Sequence, residues 1–195
     1  MIFEETYLKD VYVIKLEPYH DERGYFVRLF CDEEFKAISF NKNFVQINHS
    51  SNKHQYTFRG FHYQVPPFSE TKLIRCVSGR LIDYIIDLRK NSPTYLQSYS
   101  VELSEENAKM ILIPDGFAHG YLTLENNTSL IYFHTEFFKP GYYDGFRYSD
   151  PQLEIKLPVA PKVISTRDAT WPLMRKRAFS GLELKYDTLS DVVPT

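Results

Sequence analysis

The chain has 195 residues, a formal net charge of −2 and hydrophobic residues at 43% of its positions, which suffices for one domain with a full core. No block of like charges is long enough to favour nucleic acid as a partner, and no stretch approaches the ~18 apolar residues of a membrane-spanning helix. Fifteen Tyr and fifteen Phe against eight Gly favour β-strands. We therefore expect a single all-β domain over residues 1–195.

The N-terminal end and the cysteines predict the compartment. The first ten residues, MIFEETYLKD, reach acidic residues by position 4 and lack the basic flank and apolar run of a secretory signal. Cys31 and Cys76 lie in unrelated contexts, with neither CxxC spacing nor a disulfide framework. We expect a cytoplasmic protein in a reducing compartment.

Alternation of apolar and polar residues recurs along the first two thirds of the chain and predicts strands with one buried face. The segments that carry it are VYVIKLEPY (11–19), GYFVRLF (24–30), KLIRCVSGRLIDYIIDL (72–88) and SLIYFHTEFF (129–138). Within the third segment, Ser78 and Gly79 predict a hairpin turn between antiparallel neighbours. Many short strands joined by turns are typical of a sandwich or a small barrel whose interior encloses a ligand.

The helical signal is weak. DEEFKAI (32–38) predicts a short helix, whereas LSEENAK (103–109) has a capping serine but is interrupted so soon that we expect a single turn. After about residue 150 the alternation fades, and LPVAPK and TWPL predict that 150–195 is an irregular or helical segment packed on the barrel. DTLSDVVPT (187–195) predicts a loose tail.

Two histidines lie in motifs that bear on metal binding. In IPDGFAHGYLTLEN (113–126), a Pro-Asp-Gly turn precedes His119 and an apolar strand, so this imidazole is expected to face inward. The turn resembles the second motif of cupins, a class of small double-sheet barrels. His62, in FRGFHYQ, has no second histidine beside it. Two histidines fall short of the three or four ligands of a stable metal site, so we expect no bound metal.

Seven short motifs, in order, give the sequence a family resemblance. They are HDERGYF (20–26), FVQINHS (44–50), FRGFHYQ (58–64), TKLIRCVSG (71–79), IDLRKNSPTY (86–95), PDGFAHGY (114–121) and IYFHTEFF (131–138). Together they resemble the dTDP-4-dehydrorhamnose 3,5-epimerase family from about residue 4 to residue 172. The resemblance implies a cupin or jelly-roll barrel with short peripheral helices, and an isomerase that needs no cofactor.

The reaction that the resemblance implies is inversion at C3 and C5 of a nucleotide-diphosphate 4-keto sugar. The C4 ketone acidifies both carbons, so inversion needs a base on one face, an acid on the other and stabilisation of the enolate. Imidazole titrates near neutral pH, which suits His62 as the base. By resemblance, Asp168 orients His62, Lys72 stabilises charge on the ketone oxygen, and Tyr132 donates a proton on the opposite face.

Nucleotide recognition is where the sequence departs from the family pattern. A glutamate that helps to hold thymine in the family is replaced by Arg28, and arginine recognises guanine edges in other proteins. The nucleotide is therefore open between dTDP and GDP, and a GDP-linked 4-keto-6-deoxy heptose is a candidate substrate. By resemblance, the other substrate contacts are Arg23, Gln46, Asn48, Arg59, His119, Phe138 as a stacking platform for the base, Asp144 and Arg167.

Several functions stay open from the sequence. An epimerase that inverts only C3 would use the same residues, whereas a cupin that binds the sugar nucleotide without turnover is expected to lack His62, Lys72 or Tyr132. A 3,4-ketoisomerase and a metal-dependent oxygenase fit the motifs less well. The favoured interpretation is an epimerase for capsule or O-antigen precursors. By resemblance it is a homodimer in which HDERGYF lines the neighbouring subunit's site.

Overall fold

A computed structural model describes residues 1–184 as a barrel of two six-stranded sheets. The first sheet contains, in spatial order, β1 (Ile2–Glu5), β2 (Tyr12–Lys15), β10 (Lys109–Ile113), β7 (Lys72–Ser78), β12 (Thr128–His134) and β5 (Gln46–Asn52). The second sheet contains β13 (Tyr143–Gly145), β6 (Thr57–Gln64), β11 (Phe117–Thr123), β8 (Arg80–Asp87) and β9 (Ser98–Ser104), with β14 (Val163–Ile164) parallel to β6. A separate hairpin pairs β3 (Tyr19–Asp21) with β4 (Gly24–Phe26).

Short helices lie outside the barrel. They are α1 (Asp32–Phe35), which continues as a 3-10 turn over Lys36–Ile38, α2 (Thr166–Thr170) and α3 (Met174–Arg177). The all-β class and the short helix predicted near residue 32 are confirmed, and LSEENAK forms a turn between β9 and β10 as expected. The strand predicted for GYFVRLF ends at Phe26, because the residues up to Phe30 leave the hairpin and pack on the apolar cluster around α1.

Buried apolar side chains form three clusters, one inside the barrel and one against the outer face of each sheet. The inner cluster joins the two sheets through residues such as Ile74 and Ile85. The C-terminal segment covers the second sheet with Met174 and Leu182, and α1 covers the first sheet with Phe35. Burial on both faces explains why strands such as β7 are apolar along most of their length.

The predicted hairpin at Ser78 and Gly79 is wrong. β7 pairs with β10 and β12 in the first sheet, whereas β8 pairs with β11 and β9 in the second, so the turn carries the chain from one sheet to the other. Gly79 has φ +70°, and a Cβ there would lie 2.7 Å from Oγ1 of Thr128. Both constraints favour glycine. The sequence indicates a turn, but it does not specify whether the turn joins two neighbouring strands of one sheet or two strands of different sheets.

The β3–β4 hairpin lies away from the interior. Tyr19 and Phe26 are 69% and 78% exposed in the hairpin. The loose tail predicted for 187–195 lies outside the described residues, and the single domain over 1–195 stays a prediction. No helix within residues 1–184 is both long and apolar enough to cross a membrane.

Candidate active site

A bulge in β6 turns Arg59 and His62 to the same inner face of the second sheet. Residues three apart on a regular strand point to opposite faces, but the pairing of β6 with β11 shifts register between these two, which inserts the extra residue. At Gly60 the backbone has φ +141°, and a Cβ would lie 2.5 Å from Cα of Gly120. The two strands approach too closely here for any side chain at Gly60.

His62 is held by a carboxylate that comes from outside the barrel. Its Nε2 lies 2.8 Å from Oδ1 of Asp168, which is buried in the first turn of α2. The amide of Asp168 donates to Oγ of Ser165, the N-cap of this helix, at 3.0 Å. The amide of Gly60 donates to the other carboxylate oxygen at 3.3 Å. The contact expected between Asp168 and His62 is therefore present.

The electrostatics of this pair favour a neutral imidazole beside an ionised carboxylate. Burial lowers the pKa of His62 below its ordinary value, although the hydrogen bond and the charge of Asp168 oppose the shift. Burial acts to raise the pKa of Asp168, but the hydrogen bond and charge of His62, together with hydrogen bonds from Gly60 and Ser165, outweigh burial, so the pKa lies below its ordinary value. An ionised Asp168 accepts the proton on Nε2, so Nδ1 of neutral His62 is free to accept a proton.

A second histidine–carboxylate pair lies beside the first. Nε2 of His119 is 2.8 Å from Oδ2 of Asp83, and both residues are buried. Burial raises the pKa of Asp83, while His119 and Lys72 oppose the rise. Oδ1 of Asp83 has no hydrogen-bond partner in the described chain. The sequence prediction missed Asp83, although a carboxylate in the middle of the apolar run LIDYII (81–86) was a usable signal.

The first sheet forms the opposite wall of the site and carries Tyr132 and Lys72. Tyr132 lies between Asn48 and Ile74 in the strand register and packs against the inner cluster. Its ring centroid is 5.9 Å from that of His119 on the other sheet. Burial, together with the neighbouring Tyr121, raises the pKa of Tyr132 well above its ordinary value. Tyr132 therefore keeps its proton at neutral pH.

Lys72 presents a buried ammonium at the start of β7. Its Nζ lies 3.2 Å from Oε1 of Glu70, and its side chain is 9% exposed. The positive charge of Lys72 lowers the pKa of both His62 and Asp83, so the ammonium acts on groups of the opposite wall. Burial opposes ionisation of Glu70, but Lys72 and His134 lower the pKa of Glu70 to about 2. The sequence prediction included neither Glu70 nor His134.

Aromatic and polar groups lie beside His62. The ring of Tyr143 is 5.2 Å from the imidazole of His62 and 5.5 Å from the ring of Phe138, which is half exposed. The guanidinium of Arg167 lies 5.1 Å from the centre of the Tyr143 ring. The backbone amide of Phe138 donates to Oε1 of Gln46 at 3.1 Å. Four of these residues were predicted, and Tyr143 was not.

Arg59 and Asn48 complete the polar lining. Nε of Arg59 donates to Oδ1 of Asn52 at 2.9 Å, and its terminal nitrogens make no hydrogen bond within residues 1–184. A guanidinium fixed in this way suits an anionic oxygen. Nδ2 of Asn48 lies 3.2 Å from Nε2 of His134.

Three predicted contact residues lie elsewhere in the single chain. Arg23 and Arg28 pair with Asp21 and Glu34 and are exposed. Asp144 is paired in register with Tyr63, the neighbour of His62, and therefore faces the outside of the barrel. There it accepts hydrogen bonds from the Tyr63 hydroxyl and from Arg177. The structure does not bring Asp144 to the face that carries His62, and its predicted contact with substrate has no geometric support.

The side chains of the site do not form a cluster of metal ligands. Within the described part of the chain, no group of three or more His, Cys, Asp and Glu side chains is placed to hold a metal ion. The site instead contains two histidine–carboxylate pairs on one wall, and a protonated tyrosine with an ion-paired lysine on the other. Such groups can take up and deliver protons on two sides of one ligand.

Comparison with known proteins identifies the family of this chain. A sequence model described as dTDP-4-dehydrorhamnose 3,5-epimerase matches residues 5–176. The chain is 36% identical to the enzyme of that name from Shigella flexneri, over 84% of this chain and 91% of that enzyme. It is 37% identical to the one from Methanothermobacter thermautotrophicus, over 89% and 95% of the two chains.

Solved structures of similar fold come from the same family of enzymes. The Bacillus anthracis dTDP-4-dehydrorhamnose 3,5-epimerase with TDP and PPi bound matches with a TM-score of 0.85 and 34% identity, covering 88% of this chain and 98% of that chain. A Legionella pneumophila dTDP-6-deoxy-D-glucose-3,5-epimerase in complex with dTDP-4-keto-L-rhamnose matches with a TM-score of 0.88 and 31% identity, covering 95% and 99%.

The fold, the site and these matches define the class of the protein, an isomerase of sugar-nucleotide synthesis with a cupin-type barrel. Within that class, the chain belongs to the dTDP-4-dehydrorhamnose 3,5-epimerase family.

Proposed function

We propose that the protein inverts C3 and C5 of a nucleotide-diphosphate-linked 4-keto-6-deoxy sugar by proton abstraction and return through an enolate. The observation that carries the proposal is that His62 and Tyr132 lie on opposite sheets of the barrel. His62 is neutral and can accept a proton, whereas Tyr132 is protonated and can donate one. Inversion requires a proton to leave one face of a carbon and another to arrive on the opposite face. A neutral imidazole and a protonated phenol supply these two functions.

In the proposed cycle, Nδ1 of His62 takes the proton from C3, and Asp168 stabilises the resulting imidazolium. The C3–H electron pair moves into the enolate, whose charge on the C4 oxygen is stabilised by the ammonium of Lys72. Tyr132 then protonates C3 from the opposite face. Arg59 acts to lower the pKa of Tyr132 and so favours this transfer. The same groups act on C5 after solvent has taken the abstracted proton from His62 and reprotonated Tyr132.

We further infer which residues hold the rest of the substrate. Phe138, half exposed and 5.5 Å from Tyr143, offers a face on which a nucleobase stacks. Arg59 and Arg167 offer guanidinium groups for the diphosphate. Gln46, Asn48 and His119 line the sugar site. Asp144 has no part in this arrangement because it faces the outside of the barrel.

The nucleotide is proposed to be dTDP, because the Bacillus anthracis relative holds TDP and the Legionella pneumophila relative holds dTDP-4-keto-L-rhamnose. A GDP-linked sugar, either a hexose or a heptose, is the second candidate because Arg28 brings a guanidinium in place of an acidic group. In either case the product would be a precursor of capsule or O-antigen polysaccharide. The cytoplasmic location predicted from the sequence fits this role and stays a prediction.

A homodimer is proposed because Arg23 and Arg28 contact no site residue within residues 1–184 of one subunit. They lie on the exposed β3–β4 hairpin and just after it, where a second copy would accept them. Mixing and refolding Arg23→Ala with His62→Ala tests this arrangement. If the hairpin serves the partner's site, half of the dimers are mixed and carry one intact site of two, so about a quarter of wild-type activity returns. No recovered activity would place Arg23 in its own subunit's site, whereas wild-type activity of Arg23→Ala alone would place Arg23 outside any site.

Mass spectrometry after incubation in D2O tests the reaction itself. The protein is given dTDP-4-keto-6-deoxyglucose in one tube, and a GDP-4-keto-6-deoxy hexose or heptose in the others. Two deuterium atoms in one substrate support exchange at C3 and C5 and identify the nucleotide. One deuterium indicates an enzyme that inverts only C3. No deuterium in any substrate contradicts the proposed function.

A further inference from the structure

We propose that Glu70 and His134 are positioning residues that aim the ammonium of Lys72 and the side-chain amide of Asn48 at the substrate. This inference rests on the proposed function, since it assigns Lys72 to the enolate oxygen. Neither residue would touch substrate. They would act through the two groups that do.

The four side chains form one continuous chain of polar contacts. Nζ of Lys72 lies 3.2 Å from Oε1 of Glu70. The other carboxylate oxygen, Oε2, lies 2.8 Å from Nδ1 of His134. Nε2 of His134 lies 3.2 Å from Nδ2 of Asn48. Lys72 and Asn48, at the two ends of this series of contacts, are groups of the proposed sugar site. Between them, His134 is buried, and the side chain of Glu70 is 9% exposed.

Burial and charge fix the direction of every hydrogen bond in this chain. Glu70 has a 9% exposed side chain and a pKa of about 2, because Lys72 and His134 overcome the effect of burial. An ionised carboxylate only accepts, so Nδ1 of His134 carries the proton. The NH2 group of Asn48 only donates, so Nε2 of His134 accepts from it. In the proposed site the carbonyl oxygen of Asn48 is then the acceptor for a sugar hydroxyl.

The same unit fixes the geometry around the proposed proton donor. Tyr132 and His134 are two residues apart on β12, so both point inward. Their rings are stacked with centroids 6.0 Å apart and planes at 18°. In the register, β12 places His134 directly across from Lys72. A displaced His134 would therefore alter three groups that face the substrate, whereas an isolated surface ion pair would alter none.

Glu70→Gln tests the unit because the structure dictates which way the new amide turns. Lys72 only donates, so the oxygen of the introduced amide faces it and the NH2 group faces His134. Nδ1 of His134 must then accept, its proton moves to Nε2, and Asn48 must turn its NH2 group into the cavity. Nitrogen-15 NMR of the histidine rings at pH 8 reads this tautomer without turnover, and His134→Gln identifies the signals. We expect the Nδ1–H form in the wild type and the Nε2–H form in Glu70→Gln.

Kinetics test whether the geometry matters for the reaction. Misplacement of a catalytic group by 1 Å lowers rates by about 10²-fold. We expect a kcat loss of that size in Glu70→Gln, with KM changed by less than about threefold. His134→Gln should give a similar loss, and the double variant should lose no more than the worse single variant, because the two act as one unit. Glu102→Gln, the same change at an exposed carboxylate on β9, is the matched control and should match the wild type.

The outcomes separate this inference from the proposed function. If Glu70→Gln has the kcat of the wild type but a lowered melting temperature, Glu70 and His134 contribute to stability alone and the inference is overturned. An unchanged His134 tautomer, or losses that multiply in the double variant, would overturn it as well. A wild-type enzyme without deuterium exchange would instead overturn the proposed function, and the tautomer measurement would still decide whether Glu70 orients His134 and Asn48.

Discussion

The two walls of the barrel are built for opposite proton chemistry. The second sheet carries two histidines held by carboxylates, His62 by Asp168 and His119 by Asp83. Burial keeps His62 neutral, with one ring nitrogen free to accept a proton. On the first sheet, burial keeps the proton on Tyr132. Desolvation acts on both walls and disfavours the charged form in each case, so one physical effect prepares a base on one side and an acid on the other.

The walls also differ in where their carboxylates come from. Glu70 precedes its partner Lys72 by two residues, so the loop before β7 supplies the charge locally. Asp168 follows His62 by 106 residues and reaches it from helix α2, which packs outside the barrel. The base therefore depends on the placement of the C-terminal segment, whereas the opposite wall is fixed mainly within its own sheet.

The largest effect is expected from removal of the base. His62→Ala should lower exchange and inversion at both carbons by about 10⁴-fold, the upper range for loss of acid–base catalysis. His54→Ala, which changes an exposed side chain in the turn before β6, is the matched control and should leave the rate unchanged. Deuterium uptake followed by mass spectrometry gives the rate. Residual exchange above a few per cent would contradict the role of His62.

A smaller loss is expected when the orienting carboxylate becomes an amide. Asp168→Asn should lower kcat/KM by about 10³-fold, because the amide can donate to Nε2 and leave the proton on Nδ1. Asp32→Asn, at an exposed carboxylate of α1, is the control.

The pH profile sharpens this prediction. Activity requires neutral His62, whose pKa lies below its ordinary value of 6.5 because of burial, so the acid limb of wild-type kcat/KM should lie below pH 6.5. Asp168 acts to raise that pKa. Its removal should therefore move the acid limb to still lower pH, although the rate is smaller. A limb that moves to higher pH would contradict the electrostatic account of this wall.

The smallest effect is a pH-dependent stability from the opposite wall. Glu70 has a pKa of about 2 in the folded protein against 4.5 in an exposed glutamate. Its contribution is fully present above the unfolded value and is lost as the pH falls through the folded value. The pair should therefore contribute up to about 3 kcal/mol that disappears between pH 5 and pH 2. Urea unfolding of the wild type and Glu70→Gln at pH 7 and pH 3 measures it, and equal losses in both proteins would contradict it.

Local sequence predicted the strands and the inward position of His119 better than the partners of the site residues. His119 follows a Pro-Asp-Gly turn at the start of an apolar run and is buried on β11, whereas Lys72 and Tyr132 were assigned by family resemblance. Gly79 indicated a turn, but the sheet to which the next strand belongs depends on how the two sheets pack into a barrel. The alternation of apolar and polar residues carries no information about that packing. Asp144 was assigned to the substrate, yet it lies on the outer face because its neighbour Tyr143 points inward.

Partner assignments were harder because they depend on tertiary packing. The link between Asp168 and His62 came from family resemblance, since nothing in the local sequence joins residues 106 positions apart. Glu70 was missed because it is one carboxylate in an ordinary context until the fold places His134 beside it. Asp83 was missed although its place in an apolar run set it apart, because its partner His119 comes from another strand.

The central claim is that abstraction and delivery occur on opposite walls, and Tyr132→Phe tests it most directly. The variant is incubated with the 4-keto sugar nucleotide in D2O, and NMR follows deuterium content and configuration at C3 and C5. His62 should still exchange the proton and return deuterium from its own side, so labelled sugar of unchanged configuration should accumulate while inversion falls by about 10²-fold. Exchange and inversion that fall together, or inversion at the wild-type rate, would contradict the account.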